Sequence, residues 1–508
     1  MRRRLGLAWV LPLLACAAVP RSSAPPGPSV AATVRVPTEP AAAPPLTLRF
    51  EAPEQGVVVQ RRRGPQALPP LVLLGPAAVA DAFALQAWTS TPHAVAPLSS
   101  LLADAAVDGG VEVAVEASAA CKSPWLVDLA AATPTLQPRL RVTTAAAASD
   151  VRVGCGRVQQ ITYDTEHGFE RVIVYGEVPF DARIVAGDLA IMRTRVEQIF
   201  GARVRRPWRT EVVVVPGGPR PLPPRAVPTP SGMRVLLDGE VGWRADARLL
   251  SAATMSRIWL AQHVQPLLGA VEATPLHAAA LHGLSHGIAR EALFGLGLIT
   301  PEEYAEDLDR AEQTVAEADD APTPAPDDAR RVAAWAAELS VQAASVSWAM
   351  RARAHEPNLA LALTGTRERL EAPPSDLAAL WRALAEPWLG ATAQTSPVPA
   401  RARGRLGTCI APRRSAREVA ALGLSLPWRA GGAATIAAVA SDGAAARAGV
   451  APGDVLVTID GLLDTVSFVV ERDGALLELS ATAPRHAVRS TRWQRRASVP
   501  DDRCYPAF

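Results

Sequence analysis

Lysine is almost absent from this chain of 508 residues, in which Lys122 is the only lysine among 52 basic side chains. Arginine supplies the rest and is accompanied by many alanines and prolines, a composition that indicates a biased genome rather than a nucleic-acid surface. The basic residues are scattered along the chain and matched by 50 acidic ones, so the net charge is only +2. This balance excludes the concentrated basic patch that a polyanion partner requires, and we expect no nucleic-acid binding.

Two further absences exclude common kinds of site. No two cysteines stand at CxxC spacing, which excludes a cysteine-based zinc cluster. No GxGxxG or phosphate-binding loop follows a predicted strand, because the Gly-Leu-Gly at 295–297 ends a predicted helix. Neither a cysteine-based zinc cluster nor a nucleotide-binding module is therefore expected.

The N-terminus has the form of an export signal. The stretch "MRRRLGLAWVLPLLACAAV" places three arginines before an apolar run that is too short to span a bilayer as a folded helix. The run ends in Leu-Leu-Ala-Cys, which resembles the lipobox of bacterial lipoproteins, so residues 1–16 are predicted as a signal peptide and Cys16 as the lipidated residue. Cleavage a few residues later, in the Ala-rich run, is the alternative. Residues 17–45 are predicted as a flexible tether rich in Pro, Ala and Ser, and both alternatives imply export.

Four cysteines remain once Cys16 is set aside: Cys121, Cys155, Cys409 and Cys504. An even number in an exported chain favours disulfides. Of the three possible connectivities we favour Cys121–Cys155 with Cys409–Cys504, because the members of each pair lie in the same part of the chain.

The hydrophobic periodicity predicts an α+β chain of several domains. Residues 46–180 contain short alternating segments such as "VEVAVEA", which predict a β-rich N-terminal domain. Residues 181–395 are predicted as a mixed α/β and then helical domain. Residues 396–414 are predicted as a linker, residues 415–484 as a second β-rich unit, and residues 485–508 as a C-terminal tail.

Helix signals are clear in the central part. Residues 182–201 carry apolar side chains at helical spacing. Thr300 is a predicted N-cap before Pro301 and two acidic residues, which are favourable at the positive end of a helix dipole. Further helices are predicted at 329–354 and 375–389.

The C-terminal unit resembles a PDZ domain of the bacterial type. Gly423 and Leu424 stand at the position of the carboxylate-binding loop, and "AAARAGVAPGDVLVTIDG" follows the usual order of small residues, a Gly turn, Gly-Asp and a strand ending in Asp-Gly. In such domains the loop holds a peptide carboxylate and the neighbouring strand edge accepts the peptide. Only "LLDTV" follows Gly461 before the next strand, which is too short for the helix that walls the groove. Two roles stay open: a peptide-binding groove, or a small β-domain kept for packing or for a changed partner.

The order of β-domain, α/β segment, helical segment and PDZ-like unit resembles the glycyl aminopeptidase-type PDZ metallopeptidases, a branch of the gluzincin zinc peptidases. The resemblance covers about residues 161–483 and is carried by "VIVYGEV", "VEQIFG", "TEVVVVPGG", "SGMRVLLDG" and above all "LSHGIAREALFGLGLITPEEY". In the family this last segment opens with Ser-Glu-Gly and ends in a Gly-Leu-Ile turn followed by Glu-Glu-Tyr. The resemblance implies a gluzincin, thermolysin-like fold for the central domain.

The residues that carry zinc chemistry in that family are replaced in this chain. The family uses an HExxH helix, whose histidines bind zinc and whose Glu is the base, and the Glu of Ser-Glu-Gly as third ligand. By the resemblance, "MSRIWLAQHVQ" places Trp259 at the first histidine, Leu260 at the base and His263 at the second histidine, while His286 takes the place of the third ligand. An indole only donates and a leucine cannot accept a proton, so hydrolysis by the family mechanism is not expected.

The histidines allow an alternative. His263 and His286 occupy two of the ligand positions and could hold zinc, with Glu272 or Glu291 as an improvised base. His282 lies one turn before His286 on the same predicted face. The interpretation that we favour is that these are hydrogen-bonded cleft residues and that no cofactor is required.

These observations predict an exported, lipid-anchored protein of the periplasm, outer membrane or cell envelope, whose peptidase-like domain has lost its zinc site. Its partner would be a peptide or protein ligand, held in the old cleft or on the β-domains, and the chain would not be an enzyme. Two alternatives stay open: an active zinc metallo(amino)peptidase with a rearranged site, and a purely structural envelope protein.

Overall fold

The computed structural model describes most of the chain after residue 43. The described residues are 44–51, 56–74, 86–88, 93–102, 110–131, 135–165, 168–176, 178–200, 207–215, 224–229, 231–268, 274–319, 329–354, 379, 382–383, 386, 409–420, 422–426, 434–462, 465–473, 475–483, 485–500 and 503–504. The predicted signal peptide with Cys16, nearly all of the predicted tether, and most of the predicted linker and of the helix predicted at 375–389 lie outside these residues.

The N-terminal part consists of two β-sheets that share one hydrophobic core. Its elements are β1 (Leu46–Glu51), β2 (Gly56–Arg63), β3 (Gln66–Leu74), β4 (Gln86–Trp88), β5 (His93–Pro97), α1 (Leu98–Leu101), β6 (Val111–Glu116), β7 (Pro124–Asp128), β8 (Arg139–Val142), α2 (Ala145–Asp150) and β9 (Val151–Cys155). One sheet has the order β3-β2-β1-β6-β8 and the other β4-β5-β9-β7. Leu46, Leu48 and Phe50, at alternate positions of β1, are buried in the core, as the period of two requires.

A central sheet follows, with the strand order β10-β11-β12-β14-β13. Its strands are β10 (Val158–Thr165), β11 (Gly168–Tyr175), β12 (Trp208–Val215), β13 (Arg225–Thr229) and β14 (Gly232–Asp238), and helix α3 (Ala182–Ile199) packs on it. Strands β11, β12 and β14 run parallel, while β10 and β13 are antiparallel edges. The predicted domain boundary at residue 180 therefore falls inside this sheet. The strand pattern of a segment such as β11 predicts a strand, but it does not identify the sheet to which the strand belongs.

Helices α4 (Ala245–Leu268), α5 (Pro275–Gly295), α6 (Pro301–Asp319) and α7 (Ala329–Ala354) pack beside the central sheet. The predicted start of α6 is confirmed. The amide of Thr300 donates to Oε2 of Glu303 at 2.8 Å, and the amide of Glu303 donates to Oγ1 of Thr300 at 3.2 Å. This reciprocal pair is a capping box, which satisfies two backbone donors that the first turn leaves free. Helix α7 has the predicted bounds.

Helices α5 and α7 approach closely because two glycines of α5 face α7. A Cβ on Gly283 would lie 2.4 Å from the carbonyl oxygen of Ala336, and a Cβ on Gly287 would lie 2.5 Å from Cβ of Ala343. Both distances are shorter than any real contact between these atoms. The lack of a side chain therefore sets the distance between the two helices.

The C-terminal part begins and ends with a long antiparallel ribbon of β15 (Ile410–Ala420) and β22 (Arg485–Arg495). Between these strands lie β16 (Leu424–Ser425), β17 (Ala434–Thr435), β18 (Ala438–Val439), α8 (Ala444–Ala448), β19 (Val455–Leu462), β20 (Thr465–Arg472) and β21 (Ala475–Thr482). Strand β15 includes residues 410–414 of the predicted linker, and β22 includes residues 485–495 of the predicted tail, while residues 396–408 lie outside the described part of the chain. Both strands are rich in arginine, and the partner of each is distant in sequence. Strand β19 leads into β20 as a hairpin, so no helix stands between them, as the short spacing predicted.

The ribbon is fastened to α6 by side chains of both elements. Asp309 of α6 accepts a hydrogen bond from the backbone amide of Trp493 and pairs with Arg417 at 3.1 Å. Nε1 of Trp493 donates to Glu312 at 3.3 Å. The buried indole of Trp493 thus joins the C-terminal part to the helical core.

Both predicted disulfides, Cys121–Cys155 and Cys409–Cys504, are confirmed. Two disulfides indicate that the chain folds in an oxidising compartment, as an exported protein does. Of the helices in the described part of the chain, none is both long enough and apolar enough to cross a membrane.

A buried cluster of charges joins α3 to the central sheet. Arg193 of α3 lies 3.0 Å from Glu197 and 3.4 Å from Glu170 of β11, and all three side chains are at most 1% exposed. Oγ1 of Thr210 donates to Glu170 at 3.2 Å. One guanidinium cannot neutralise two buried carboxylates, and Glu197 lies closer to it. Burial accordingly raises the pKa of Glu170 to about 8, so this residue is protonated at neutral pH.

We expect the free energy of unfolding to fall as the pH rises from about 4.5 to about 8, the interval in which the unfolded chain has lost the Glu170 proton and the folded protein still holds it. The pKa of Glu170 is raised from 4.5 to about 8 in the folded protein. Its contribution to stability is therefore complete below the lower value and is lost as the pH passes the upper one. The slope for one group is up to about 1.4 kcal/mol per pH unit. Urea unfolding should show this slope in the wild type and in Glu116→Gln, an exposed control, but a smaller slope in Glu170→Gln. Equal slopes in all three proteins would contradict the assignment.

Gly283→Ala should lower the free energy of unfolding by about 2 kcal/mol or more, because the added methyl group overlaps the backbone of α7. Gly187→Ala in α3 is the matched control, since its Cβ would meet only the hydroxyl of Tyr163, at 3.8 Å. That change should be neutral or stabilising by up to about 1 kcal/mol through helix propensity. Denaturant unfolding of both variants checks the prediction, and equal effects would exclude a close α5–α7 contact.

Candidate functional site

A cleft of about 670 Å³ opens between helices α4, α5, α6 and α7. Much of its wall is made of small or apolar side chains, among them Leu249, Ala253, Val332, Ala333 and Ala336. The alanines leave space because their side chains end at Cβ. The volume lies within the range of small-molecule and peptide-end sites, about 300–1,000 Å³.

Polar groups from these helices also line the cleft. They include Arg257 of α4, His282, Ser285 and His286 of α5, and Asp307 and Arg310 of α6, and α7 adds Ser340. An apolar cavity with a few convergent polar groups is the usual form of a ligand site.

Asp307 holds His286. Nε2 of His286 lies 2.9 and 3.0 Å from the two carboxylate oxygens of Asp307. An ionised carboxylate only accepts hydrogen bonds, so Nε2 carries the proton. This nitrogen cannot bind a metal while the pair is intact.

The carboxylate of Asp307 also neutralises Arg290, whose side chain is completely buried. Nη1 of Arg290 lies 2.9 Å from Oδ2 of Asp307 and 3.1 Å from Oγ of Ser340 on α7, while Arg310 reaches Asp307 at 3.6 Å. Burial alone would raise the pKa of Asp307, but His286 and the two arginines outweigh it and hold that pKa well below its ordinary value. Asp307 is therefore a permanent anion that joins α5, α6 and α7.

Arg257 and His282 meet at the cleft wall between α4 and α5. Nη1 of Arg257 lies 3.4 Å from both ring nitrogens of His282. Loss of water around the imidazole, with the Arg257 cation and His286 nearby, lowers the pKa of His282 to about 4. His282 is thus neutral at physiological pH. Burial lowers the pKa of Arg257 as well, but an arginine keeps its charge.

The positions that the family resemblance assigns to zinc chemistry are dispersed. Leu260, at the position of the base, is fully buried, and Trp259 packs against the main hydrophobic core. Neither of these two side chains lines the cleft, whereas His286 does. His263 belongs to α4, but its side chain lies outside the part of the chain that the structure describes.

The alternative zinc site loses one of its proposed bases. Glu291 is buried and accepts a hydrogen bond from the hydroxyl of Tyr304, and it does not line the cleft. Glu272 lies outside the described residues. His282 and His286 share one face of α5 and line the cleft, as predicted, but each bonds to a residue of another helix.

Gly423 and Leu424 lie at the start of the C-terminal core. Gly423 has φ +70°, and a Cβ there would lie 2.7 Å from Cα of Gly443, so both conformation and space require glycine. Leu424 is buried and pairs with β18. On the opposite edge, the carbonyl of Leu426 accepts the backbone amide of Ala329, the first residue of α7, at 2.6 Å. Peptide binding by Gly423 and Leu424 stays a prediction, and the first residue of α7 is bonded to the residue that follows β16.

The residues predicted from the sequence did not include Asp307 and Arg257 of the cleft, or the buried Arg290 that pairs with Asp307. Arg290 had a signal, because it stands four residues after His286 on one face of a helix that is otherwise mainly apolar or small. Asp307 is one of many acidic residues in α6, and Arg257 is one of many arginines in the chain. Only packing distinguishes these two residues.

Comparisons with known proteins support the fold. No family model and no curated protein matches the chain. Among solved structures, the aminopeptidase N family protein from Idiomarina loihiensis matches 88% of this chain and 98% of its own, with 11% identity and a TM-score of 0.50. An M1 zinc metallopeptidase from Deinococcus radiodurans matches 70% of this chain and 96% of its own, with 13% identity, but its TM-score of 0.33 carries no argument. The chain therefore has the mixed α/β multidomain fold of an aminopeptidase N family protein, and at this identity the likeness shows the fold alone.

The residues of the cleft do not fit the zinc ion that this fold would hold. Within the described residues, no three His, Cys, Asp or Glu side chains come together as a ligand set. Nε2 of His286 is bonded to Asp307, and Leu260 cannot accept a proton from water. The polar centre of the cleft is an ion-pair network.

Asp307→Asn should lower the free energy of unfolding by about 3–5 kcal/mol, because Arg290 would keep its charge in a buried site without a carboxylate. Glu306→Gln, an exposed neighbour on α6, is the matched control and should change stability by less than about 0.5 kcal/mol. The double variant Arg290→Met/Asp307→Asn should lose less than the sum of the two single variants. Denaturant unfolding of the wild type, the control, the two single variants and the double variant tests this, and strict additivity would show that the two residues are not coupled.

Proposed function

We propose that this chain is an exported binding protein that holds a peptide, or an extended segment of a protein, in the cleft between α4 and α7 without hydrolysing it. The observation that carries the proposal is the cleft itself, which keeps about 670 Å³ beside His286 although the position of the base is occupied by Leu260. A side chain that cannot accept a proton removes hydrolysis but leaves a binding surface in place.

Two observations support a peptide as the ligand. The wall combines alanine, valine and leucine with a few fixed polar groups, which suits a chain of apolar residues with polar ends. The solved structure with the same fold belongs to an aminopeptidase N family protein, whose name denotes action on peptides.

The proposal includes a location and a layout. The protein would be anchored in the cell envelope by a lipid on Cys16, with residues 17–45 as a tether, and the two disulfides fit such an oxidising site. The C-terminal unit would be a PDZ-like module without its groove helix. The amide of Ala329, the first residue of α7, bonds to that module, and other residues of α7 line the cleft. Helix α7 therefore contacts both.

Retention of a peptide pool by the full chain tests this function. The chain is incubated with an equimolar pool of N-acetylated tripeptide acids, and bound peptides are identified by mass spectrometry after ultrafiltration. We expect intact peptides to be retained by the wild type and by Ala146→Trp, an exposed control on α2. Ala333→Trp, which places an indole in the cleft, should weaken retention by about tenfold or more.

Two outcomes would contradict the proposal. Equal retention by Ala333→Trp and the wild type would exclude the cleft as the binding site. Cleaved peptides and chelator-sensitive activity, together with about one zinc ion per chain that disappears in His263→Ala/His286→Ala, would establish a rearranged peptidase instead.

A further inference from the structure

The cleft contains a cation that lacks a counter-charge. Arg257 lines the cleft from α4, and in the described part of the chain no carboxylate forms an ion pair with its guanidinium. Its polar neighbour is the ring of His282, at 3.4 Å, which is neutral at physiological pH. A half-buried guanidinium keeps its charge but loses part of its hydration, and this is unfavourable unless an anion compensates it.

The carboxylates that line the cleft are engaged elsewhere. Asp307 is already shared by three cationic or protonated side chains. Asp246 stands in the first turn of α4, where its carboxylate accepts the backbone amide of Ala247 at 2.8 Å and lies at the favourable end of the helix dipole. An anion that neutralises Arg257 is therefore not found among the residues that the structure describes.

The apolar part of the wall indicates the rest of such a ligand. Leu249, Leu250 and Ala253 of α4 line the cleft together with Ala336 and Ala337 of α7. These side chains offer neither hydrogen-bond donors nor acceptors. A molecule that fills this space and contacts Arg257 therefore combines one anionic group with an apolar body.

We propose that Arg257 binds the terminal carboxylate of a peptide whose last side chain is apolar. This inference rests on the proposed peptide-binding function and adds the chemical group that is recognised. A guanidinium presents parallel N–H donors that match the two oxygens of a carboxylate. A neutral His282 that accepts from Arg257 on one ring nitrogen carries its proton on the other, and this N–H supplies a further donor to the carboxylate.

Three probes test the inference by calorimetric titration of the full chain: acetyl-Ala-Ala-Leu as the free acid, its C-terminal amide, and decanoate. The acid should bind about 10- to 100-fold more tightly than the amide, the range of one charge-assisted hydrogen-bonded pair. Arg257→Gln should bind the acid no better than the amide, and Arg257→Lys should keep part of the preference. Arg244→Gln, at an exposed position just before α4, is the matched control and should behave as the wild type. Thermal unfolding verifies that each variant is folded.

The outcomes separate this inference from the function on which it rests. Equal binding of acid and amide by the wild type, or an unchanged preference in Arg257→Gln, would overturn the carboxylate site but leave peptide binding in place. Binding of decanoate alone, lost in Arg257→Gln, would support the carboxylate site and overturn the peptide as ligand. If none of the three probes binds, both proposals are wrong.

Discussion

The ion pair between Arg290 and Asp307 is the interaction on which the helical half of this protein depends. The side chain of Arg290 is completely buried, and its charge is tolerated because Asp307 lies 2.9 Å away and Ser340 adds further hydrogen bonds. These three residues belong to α5, α6 and α7, so a single guanidinium fixes the positions of three helices. The same carboxylate orients His286 at the cleft, and the structural and the functional polar groups are therefore one network.

The cleft is shaped by contacts between helices, and none of these contacts involves a metal ion. Gly283 brings α5 against α7, and alanines on α4 and α7 leave the space between the helices empty. Leu260 takes part in neither contact and does not line the cleft, because its side chain is buried elsewhere. The cavity therefore depends on how the helices pack, and Arg257 contributes a cationic group to its wall.

Features with a local physical cause were predictable. The capping box at Thr300 depends on residues three apart, and the bounds of α7 depend on composition and periodicity. Both disulfides followed from the count and grouping of the cysteines. Strand pairing was different. The alternation that predicts a strand at β11 does not show that it pairs with β12, and the arginine-rich segments of β15 and β22 resemble linkers until they pair.

The same distinction between local and tertiary causes applies to the candidate site. By itself, the sequence determined the helices, the disulfides and the absence of a proton acceptor at Leu260, because each follows from residues near one another in the chain or from their chemistry. Only the tertiary structure decided that His286 bonds to Asp307, that Arg290 is buried between three helices and that Arg257 faces a cleft without a carboxylate partner among the described residues. Buried charges select their partners in space, and the spacing along the chain does not encode which helix faces will meet.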